Sequence, residues 1–231
     1  MRVKSIGIIG AGKHFVEKIF PLISDNRILK IDGILRKSNK PFKKIPILKE
    51  KEFFKKSFDF VYICCPNYNH EKYILKSLNS NFNVICEKPF IIRKKNLNKI
   101  LNLAKKKNKL IFECFMYSYH PVFKYIKNLI RSKKFGKIKY VISNFRYPSL
   151  QKNNNRYKVN EGRGFFYDAA TYLISLESYL FENHHLGGFL KTKKIKKKID
   201  LRGYIFLDNG HQSRHYFWGE GQNYTNNLEI F

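Results

Sequence analysis

Several features are scarce in this sequence, and each absence excludes a class of protein. The four cysteines, at positions 64, 65, 86 and 114, have neither CxxC spacing nor the density of a disulfide framework, so we expect free buried thiols and no zinc site. No apolar run reaches the roughly 18 residues that a membrane-spanning helix needs. The opening residues, MRVKSIGIIGAG, lack the cleavage site of an export signal, which predicts a cytoplasmic location.

Acidic residues are also scarce. Only 17 Asp and Glu stand against 46 Lys and Arg, which gives a net charge of +29 and favours polyanions electrostatically. The lysines are spread along predicted helices, and no nucleic-acid-binding signature accompanies them, so we expect non-specific adhesion and no specific nucleic-acid partner. A basic nucleic-acid-binding protein stays the alternative. The densest run, Lys191–Lys198, contains an apolar residue and predicts an exposed edge strand or hairpin.

The first half of the chain alternates short apolar runs with amphipathic segments. Alternating strands and helices give a parallel sheet covered on both faces, and right-handed crossovers then predict a doubly wound α/β fold. Strands are predicted over Val3–Ile9, Ile28–Leu35, Phe58–Cys64, Asn83–Cys86 and Leu110–Cys114, and helices over Lys13–Ile23, His70–Leu78 and Asn96–Ala104.

The pattern of the second half is different and predicts an α+β domain with a mostly antiparallel sheet. Residues 1–118 and 119–231 are therefore predicted to be two domains. The polar stretch Gln151–Arg156 is the best candidate for a mobile loop. Helices are predicted over Pro121–Arg131 and Phe165–Phe181, a strand over Ile138–Phe145, and further strands around Gly187, Gly203, Gly210 and Gly219.

A glycine-rich turn follows the first predicted strand and precedes the first predicted helix, in IGIIGAGKHF. Missing side chains at Gly10 and Gly12 let a pyrophosphate approach backbone amides at the positive end of a helix. The pattern predicts a dinucleotide site that also includes Lys13 and His14. Phe15 stands where the fingerprint usually has its third glycine, and a simple tight turn is the alternative interpretation.

Positive charge ends the second predicted strand, where NAD-binding proteins place a carboxylate on the ribose. Arg36, Lys37 and Ser38 stand there instead. These side chains could hold a ribose 2′-phosphate by charge and hydrogen bonds, so NADP is favoured over NAD.

Two segments put polar residues at the carboxyl ends of predicted parallel strands, the edge where open α/β sheets bind ligands. They are ICCPNYNHEKYI and NVICEKPF. In the second segment, Lys88 lies between Glu87 and Pro89 and could donate a hydrogen bond to a substrate hydroxyl or carbonyl. A solvated Glu–Lys pair at a strand end is the alternative.

Five segments in order, IGIIGAG, CPNYNH, ICEKPF, MYSYHP and GRGFFYDAATY, resemble the motifs of the Gfo/Idh/MocA oxidoreductases. The EKP sequence after a parallel strand is the most specific of them, and the resemblance spans the chain. It implies an N-terminal Rossmann domain, a C-terminal domain with an open sheet, and oxidation or reduction of sugars, inositols or nucleotide sugars with NAD or NADP. By position, Gly10 and Gly12 would meet the pyrophosphate, Pro66, Asn67, His70 and Glu87 would lie at the cofactor, and Lys88 would contact both the cofactor and the oxygen on the reacting carbon.

In the second domain, Asp168 and Tyr172 match the family's Asp and its His or Tyr one helical turn later. Their i, i+4 spacing predicts that both lie on one helix face. Hydride transfer requires the carbinol oxygen to gain or lose a proton, so Tyr172 is a candidate acid/base with Lys88 or Asp168 as its electrostatic partner. Which of Asp168 and Tyr172 moves the proton is open, and Tyr172 as a core aromatic is the alternative.

Two hypotheses follow. The leading one is an NADP- or NAD-dependent oxidoreductase acting on a sugar or nucleotide sugar in surface-polysaccharide metabolism, as a homo-oligomer if full length. The other is a truncated, catalytically inactive dinucleotide-binding member, because GQNYTNNLEIF resembles an internal strand of the family. Besides Phe15, Ser118 and Arg163 depart from the family's motifs, in MYSYHP and GRG respectively.

Overall fold

The computed structural model describes residues 2–158, 164–181, 187–195 and 199–231. They form two compact units, Met1–Cys114 and Phe115–Phe231. The boundary predicted after residue 118 falls inside the first turn of the second unit, Met116–Tyr119. Within the described ranges, no helix combines the length and the apolar character that crossing a bilayer requires.

The first unit contains a five-stranded sheet in the order β2-β1-β3-β4-β5, and every neighbouring pair is parallel. The predicted doubly wound arrangement is confirmed. All five strands therefore end at the same edge of the sheet, where the polar motifs follow them. The strands are β1 (Lys4–Ile9), β2 (Leu29–Leu35), β3 (Phe60–Ile63), β4 (Asn83–Glu87) and β5 (Ile111–Cys114).

The crossover helices bury their apolar faces against this sheet. Ile74 and Leu78 of α3, spaced i, i+4, are completely buried, as is Ile100 of α4. The α4 helix ends where Asn108 adopts a left-handed conformation with φ 50°. The helices are α1 (Phe20–Ser24), which continues a π-helical turn over Phe15–Ile19, α2 (Glu50–Phe53), α3 (His70–Asn79) and α4 (Leu97–Lys107).

The second unit has a mixed five-stranded sheet in the order β10-β6-β9-β8-β7. Only β6 and β9 are parallel, so the predicted, mostly antiparallel sheet is confirmed. Residues 191–195 of the lysine run belong to the edge strand β7, as predicted, whereas 196–198 lie outside the described residues. The strands are β6 (Tyr140–Tyr147), β7 (Gly187–Ile195), β8 (Ile199–Asp208), β9 (Ser213–Glu220) and β10 (Thr225–Ile230).

Two helices cover one face of this sheet: α5 (Pro121–Ser132) and α6 (Thr171–Leu180), which continues a π-helical turn over Phe166–Ala170. Trp218 lies completely buried at the centre of the core beneath the π-helical turn. Its ring requires a glycine on the neighbouring strand, because a Cβ at Gly203 would approach the Trp218 ring to 2.4 Å. The opposite face of the sheet carries no helix in the described part of the unit.

A buried ion pair ties α6 to β9. The Arg214 guanidinium and the Tyr216 hydroxyl both donate to the Glu177 carboxylate, and the side chains of Arg214 and Glu177 are only 3% and 9% exposed. The Arg214 guanidinium also lies 4.1 Å from the centre of the Phe181 ring. Burial and the neighbouring Glu177 raise the pKa of Tyr216, so its hydroxyl remains a donor. The pair therefore fixes the register of α6 on the sheet.

We expect Arg214→Met to lower the free energy of unfolding by about 3–5 kcal/mol, because it leaves Glu177 as a buried charge without its cation. Urea unfolding followed by the fluorescence of Trp218, the chain's single tryptophan, measures this unit. The double variant Glu177→Leu/Arg214→Met should cost much less, and Lys124→Met on the exposed side of α5 serves as the control. A double variant as unstable as the single one would contradict this account.

Candidate functional site

The glycine turn at the end of β1 lies very close to the backbone segment that follows β3. Gly10 has φ 122°, and a Cβ there would lie 2.6 Å from the backbone nitrogen of Cys65. Its own N–H donates to Leu35 at 2.9 Å. A Cβ at Gly12, by contrast, would meet nothing within 4 Å. Gly10 is thus required by the fold, whereas Gly12 leaves open space beside the start of a helix, which is the arrangement that a pyrophosphate needs.

Phe15, the departure from the glycine fingerprint, is completely buried. Its ring packs against Phe20, Phe42 and Tyr62, with ring centres 6.1–6.3 Å apart. A glycine at this position normally allows the helix to approach the strand closely. Here the ring occupies that space, and the helix begins as a wider π-helical turn over Phe15–Ile19. The bulky residue therefore changes the helix and leaves the glycine turn intact.

The segment after β2 is shaped by Arg36. The Arg36 guanidinium donates to the carbonyl oxygens of Ser38, at 3.1 Å, and Lys40, and it lies 5.5 Å from the Phe42 ring centre. Lys37 and Ser38 are exposed at the tip of this turn. Arg36 thus holds the shape of the turn and leaves Lys37 and Ser38 exposed on it.

Glu87 joins two of the motifs that the sequence singled out. Its Oε1 accepts a hydrogen bond from the Tyr62 hydroxyl and lies 3.4 Å from Nε2 of His14, which follows the glycine turn. The Glu87 side chain is 15% exposed, against 48% for His14. Burial and Glu87 raise the pKa of Tyr62, which therefore remains a donor. Tyr62 escaped sequence analysis, although it is the one hydroxyl in the apolar strand FVYI.

His70 links the loops that follow β3 and β4. Its ring nitrogens lie 2.8 Å from the carbonyl oxygens of Pro89 and Cys65, and the residue is 1% exposed. Burial lowers the pKa of His70 against the opposing pull of those two carbonyls. The structure thus gives His70 a bridging position, and its predicted contact with a cofactor stays a prediction.

The residues around Lys88 are held from several sides. The peptide bond between Lys88 and Pro89 is cis, and the next N–H, of Phe90, donates to Oε1 of Glu113 at 2.7 Å. Burial raises the pKa of Glu113. Sequence analysis missed Glu113, which is the single charged side chain in the predicted fifth strand.

An unsatisfied polar atom marks this edge as a site that fits a ligand. Among the described residues, no hydrogen-bond donor reaches the buried Oδ1 of Asn67, which follows β3 immediately after the exposed Pro66. A buried acceptor without a partner is costly and is a common sign of a missing ligand or water. The first unit therefore fits a dinucleotide at two places: the open space at Gly12 and the acceptor of Asn67.

In the second unit, Asp168 and Tyr172 contact the same face of β6. Oδ2 of Asp168 accepts hydrogen bonds from the Tyr147 hydroxyl at 3.1 Å and from Nε of Arg156. The Tyr172 ring lies 5.2 Å from the ring of Phe145. Because Phe145 and Tyr147 are two residues apart on one strand, they point to the same face, as the i, i+4 spacing of the two site residues predicts. Lys88 belongs to the first unit.

Tyr172 lines a cavity of about 470 Å³ on the helix-covered face of the sheet. This volume is within the range of small-molecule sites. The cavity is lined mostly by aromatic and aliphatic side chains, with a few polar groups from β6 and β10. Its lining includes Tyr117, Phe123, Ser143, Phe145, Tyr224 and Asn226. Tyr172 lies at the wall of this cavity and packs against the Phe145 ring, so its catalytic role and the alternative of a core aromatic both stay predictions.

The polar loop that follows β6 supplies contacts that the sequence did not predict. Its end forms the 3₁₀ turn Asn155–Tyr157. The Tyr157 hydroxyl donates to Glu220 and accepts from the N–H of Leu150 at 3.1 Å. Tyr157, which follows the predicted loop, thus contacts β9, and Arg156 at the end of the loop contacts Asp168; the mobility of the loop stays a prediction. The arginine and the tyrosine that end this polar run are the available signal.

The remaining departures from the family pattern have different outcomes. The Ser118 hydroxyl donates to the carbonyl oxygen of Phe115 at 2.8 Å, within the first turn of the second unit. Gly162 and Arg163 lie outside the described residues.

Comparison with known proteins identifies relatives of both units. The model of the oxidoreductase family with an NAD-binding Rossmann fold matches residues 4–115, and that of the GFO/IDH/MocA C-terminal domain matches 123–207. A dTDP-3,4-didehydro-2,6-dideoxy-α-D-glucose 3-reductase from Saccharopolyspora spinosa is 24% identical over 175 residues, which are 75% of this chain and 53% of that protein. A trans-1,2-dihydrobenzene-1,2-diol dehydrogenase from Xenopus laevis is 24% identical over 62% of this chain and 44% of its own length. The chain thus spans about half the length of these curated relatives.

Among solved structures, a 3-ketoreductase from Actinomadura kijaniata in complex with NADP and TDP-benzene has the same fold. It superimposes with a TM-score of 0.90 at 20% identity, covering 99% of this chain and 74% of that one. An NAD-binding protein from Listeria innocua superimposes with a TM-score of 0.84 at 19% identity, covering 100% and 71%. Because the two family models match most of the chain in the expected order, the chain belongs to the Gfo/Idh/MocA oxidoreductase family.

Proposed function

We propose that this protein is an NADP-dependent oxidoreductase that transfers a hydride to or from a carbinol carbon of a sugar or nucleotide sugar. The observation that carries the proposal is the contact of His14 with Glu87, which brings the glycine turn and the EKP motif together at one edge of the sheet. The open space at Gly12 and the unsatisfied Asn67 acceptor beside β3 support a dinucleotide there.

The cofactor supplies hydride chemistry when bound, and the chain's residues bind and orient it. The backbone amide of Gly12 would hold the pyrophosphate at the start of the helix, beside the turn that Gly10 shapes while its own N–H donates to Leu35. Lys37 and Ser38, exposed on the turn that Arg36 shapes, would take the 2′-phosphate, which favours NADP over NAD. The NADP in the Actinomadura neighbour agrees with this preference.

The second unit would bind the substrate in the cavity beside Tyr172. Its aromatic lining suits the apolar faces of a sugar ring or a nucleobase, and the relatives include reductases of dTDP-sugars. In the direction of reduction, the Tyr172 hydroxyl gives a proton to the carbonyl oxygen. Lys88, in the first unit, stays a candidate hydrogen-bond donor to a substrate hydroxyl or carbonyl. In oxidation the proton moves the other way. The presence of Lys88, Asp168 and Tyr172 favours an active oxidoreductase over the alternative of a catalytically inactive family member.

The helix-free face of the second sheet supports a homo-oligomer. Aromatic side chains from three neighbouring strands lie there in contact, with the Phe189 ring 5.6 Å from Tyr204 and the Tyr204 ring 6.0 Å from Phe217. Phe189 is 54% exposed. Contiguous exposed apolar surface of this kind marks interaction sites. Cytoplasmic location and a role in surface polysaccharides stay predictions.

Cofactor preference gives the first prediction. In a fluorescence titration, NADPH should bind more tightly than NADH, and Lys37→Ala should weaken NADPH about 10-fold with little change for NADH, since only NADPH offers a 2′-phosphate. Arg36→Ala should weaken both, because the turn loses its shape. Lys106→Ala, an exposed lysine on α4, is the charge-matched control, and a repeat at higher salt removes non-specific attraction. Folded protein that binds neither cofactor would overturn the proposed function.

Catalysis gives the second prediction. Tyr172→Phe and Lys88→Ala should each lower kcat by about 100- to 10,000-fold, the usual contribution of a positioned proton donor. Tyr172→Phe removes a single hydroxyl, and the NADPH titration of this variant separates a loss of turnover from a loss of cofactor binding. Steady-state assays with dTDP-sugars test both variants against Tyr125→Phe, whose side chain is exposed on α5. Unchanged turnover of an identified substrate would rule out these roles.

The oligomer gives the third prediction. Phe189→Lys should shift the mass measured by light scattering after size exclusion toward the monomer, because it places a charge on the helix-free sheet face. Leu22→Lys, at a position that is 71% exposed in the first unit, should leave the mass unchanged. Wild-type protein that is monomeric at all concentrations would refute the oligomer.

A further inference from the structure

Arg156 and Tyr147 converge on a single oxygen of Asp168. The Arg156 side chain is 38% exposed and that of Asp168 20%, and the guanidinium Nε donates to Oδ2. The Tyr147 hydroxyl donates to the same Oδ2 at 3.1 Å. Asp168 therefore receives one charged and one neutral donor, from a loop and from β6, before any substrate is considered.

These two donors favour the ionised form of the carboxylate. A neighbouring guanidinium and hydrogen bonds to the charged form both stabilise an aspartate anion. Burial opposes the charge on Arg156, yet its pKa is raised, because the hydrogen bond and charge of Asp168 outweigh that penalty. Burial and Asp168 raise the pKa of Tyr147, so its hydroxyl keeps its proton and remains a donor. An ionised carboxylate accepts hydrogen bonds and has no proton to give.

Arg156 and Asp168 both lie next to residues that are hydrogen-bonded to the sheet. Tyr157, next to Arg156, is held by Glu220, and its ring lies 5.5 Å from Phe165. Before Asp168, Oδ2 of Asp200 accepts the N–H of Phe165 at 3.1 Å. The turn needs glycine there, since Gly164 has φ 78° and a Cβ would lie 2.1 Å from Oδ1 of Asp200.

We propose that Arg156 is a positioning residue for the reaction: it holds Asp168 as an oriented carboxylate beside the substrate cavity of the second unit. The inference rests on the proposed function and assigns a role to a residue that sequence analysis did not single out. It also gives the 148–158 loop a role in catalysis through Asp168, without contact to the reacting atoms.

The charged and titratable groups around Asp168 determine how easily its carboxylate is protonated. The described part of the chain places Tyr147 of β6 and Arg156 of the loop against its carboxylate. Asp200 of β8 is within electrostatic range of Tyr147. Because Arg156 brings a positive charge into direct contact with the carboxylate, its removal should affect Asp168 more than removal of the neutral Tyr147 hydroxyl.

The experiment measures kcat and KM against pH for wild type, Arg156→Gln, Arg156→Lys and Tyr147→Phe, with the dTDP-sugar that the wild type turns over. In Arg156→Gln, the acid limb of the kcat profile should move up by on the order of one pH unit or more, because Asp168 then protonates more easily. Arg156→Lys should restore part of the shift, Tyr147→Phe should give a smaller one, and KM for NADPH should stay within about twofold. Lys152→Gln removes the same charge from the same loop and should behave as wild type.

A second readout does not depend on turnover. The ¹³C carboxyl signals of labelled aspartates, with that of Asp168 assigned by its loss in Asp168→Asn, should show a higher titration midpoint for Asp168 in Arg156→Gln than in wild type. An unchanged midpoint, or an unchanged kcat profile in an active protein, overturns the role of Arg156 alone. Wild-type protein that binds NADPH but turns over none of the sugar nucleotides overturns the proposed function, and this inference with it.

Discussion

The first unit depends on one close approach between the segments that follow β1 and β3. Gly10 lies so close to the second segment that a Cβ would be 2.6 Å from the backbone nitrogen of Cys65. That approach seats the glycine turn against the loop after β3, whose other end is tied by His70 to the loop after β4. Three strand ends are thereby joined, and the buried Asn67 acceptor and Glu87 lie among them. A substitution at Gly10 would disturb the whole edge, not a single contact.

Carboxylates are few in this basic chain, and several of them hold the structure together from buried or half-buried positions. Glu113 receives the N–H of Phe90 after the EKP motif, and Glu87 receives the Tyr62 hydroxyl. In the second unit, Asp168 and Glu177 each receive an arginine and a tyrosine. The repeated pairing of a carboxylate with one cation and one hydroxyl fixes helices on the sheet. The surplus lysines lie mostly at the surface, where they add little to the fold.

Much of the fold was predictable from periodicity, because apolar spacing reports directly on which face is buried. The parallel sheet of the first unit, the helices α3 and α4 and the mostly antiparallel second sheet are confirmed. The helix starts were less predictable. Both site helices begin with π-helical turns, at Phe15–Ile19 and Phe166–Ala170, and a π-helical turn depends on tertiary packing that single-sequence patterns do not contain.

The sequence alone determined the family, the order of the motifs and most candidate site residues, because spacing along the chain and residue type carry that information. Only the tertiary structure decided what each candidate contacts. The Arg36 side chain bonds to carbonyl oxygens of the turn that it begins, and His70 bridges two loops. Tyr62 donates to Glu87, and Arg156 donates to Asp168. These contacts join residues from separate strands and loops, and their partners are set by how the elements pack in three dimensions, which no local pattern in the chain encodes.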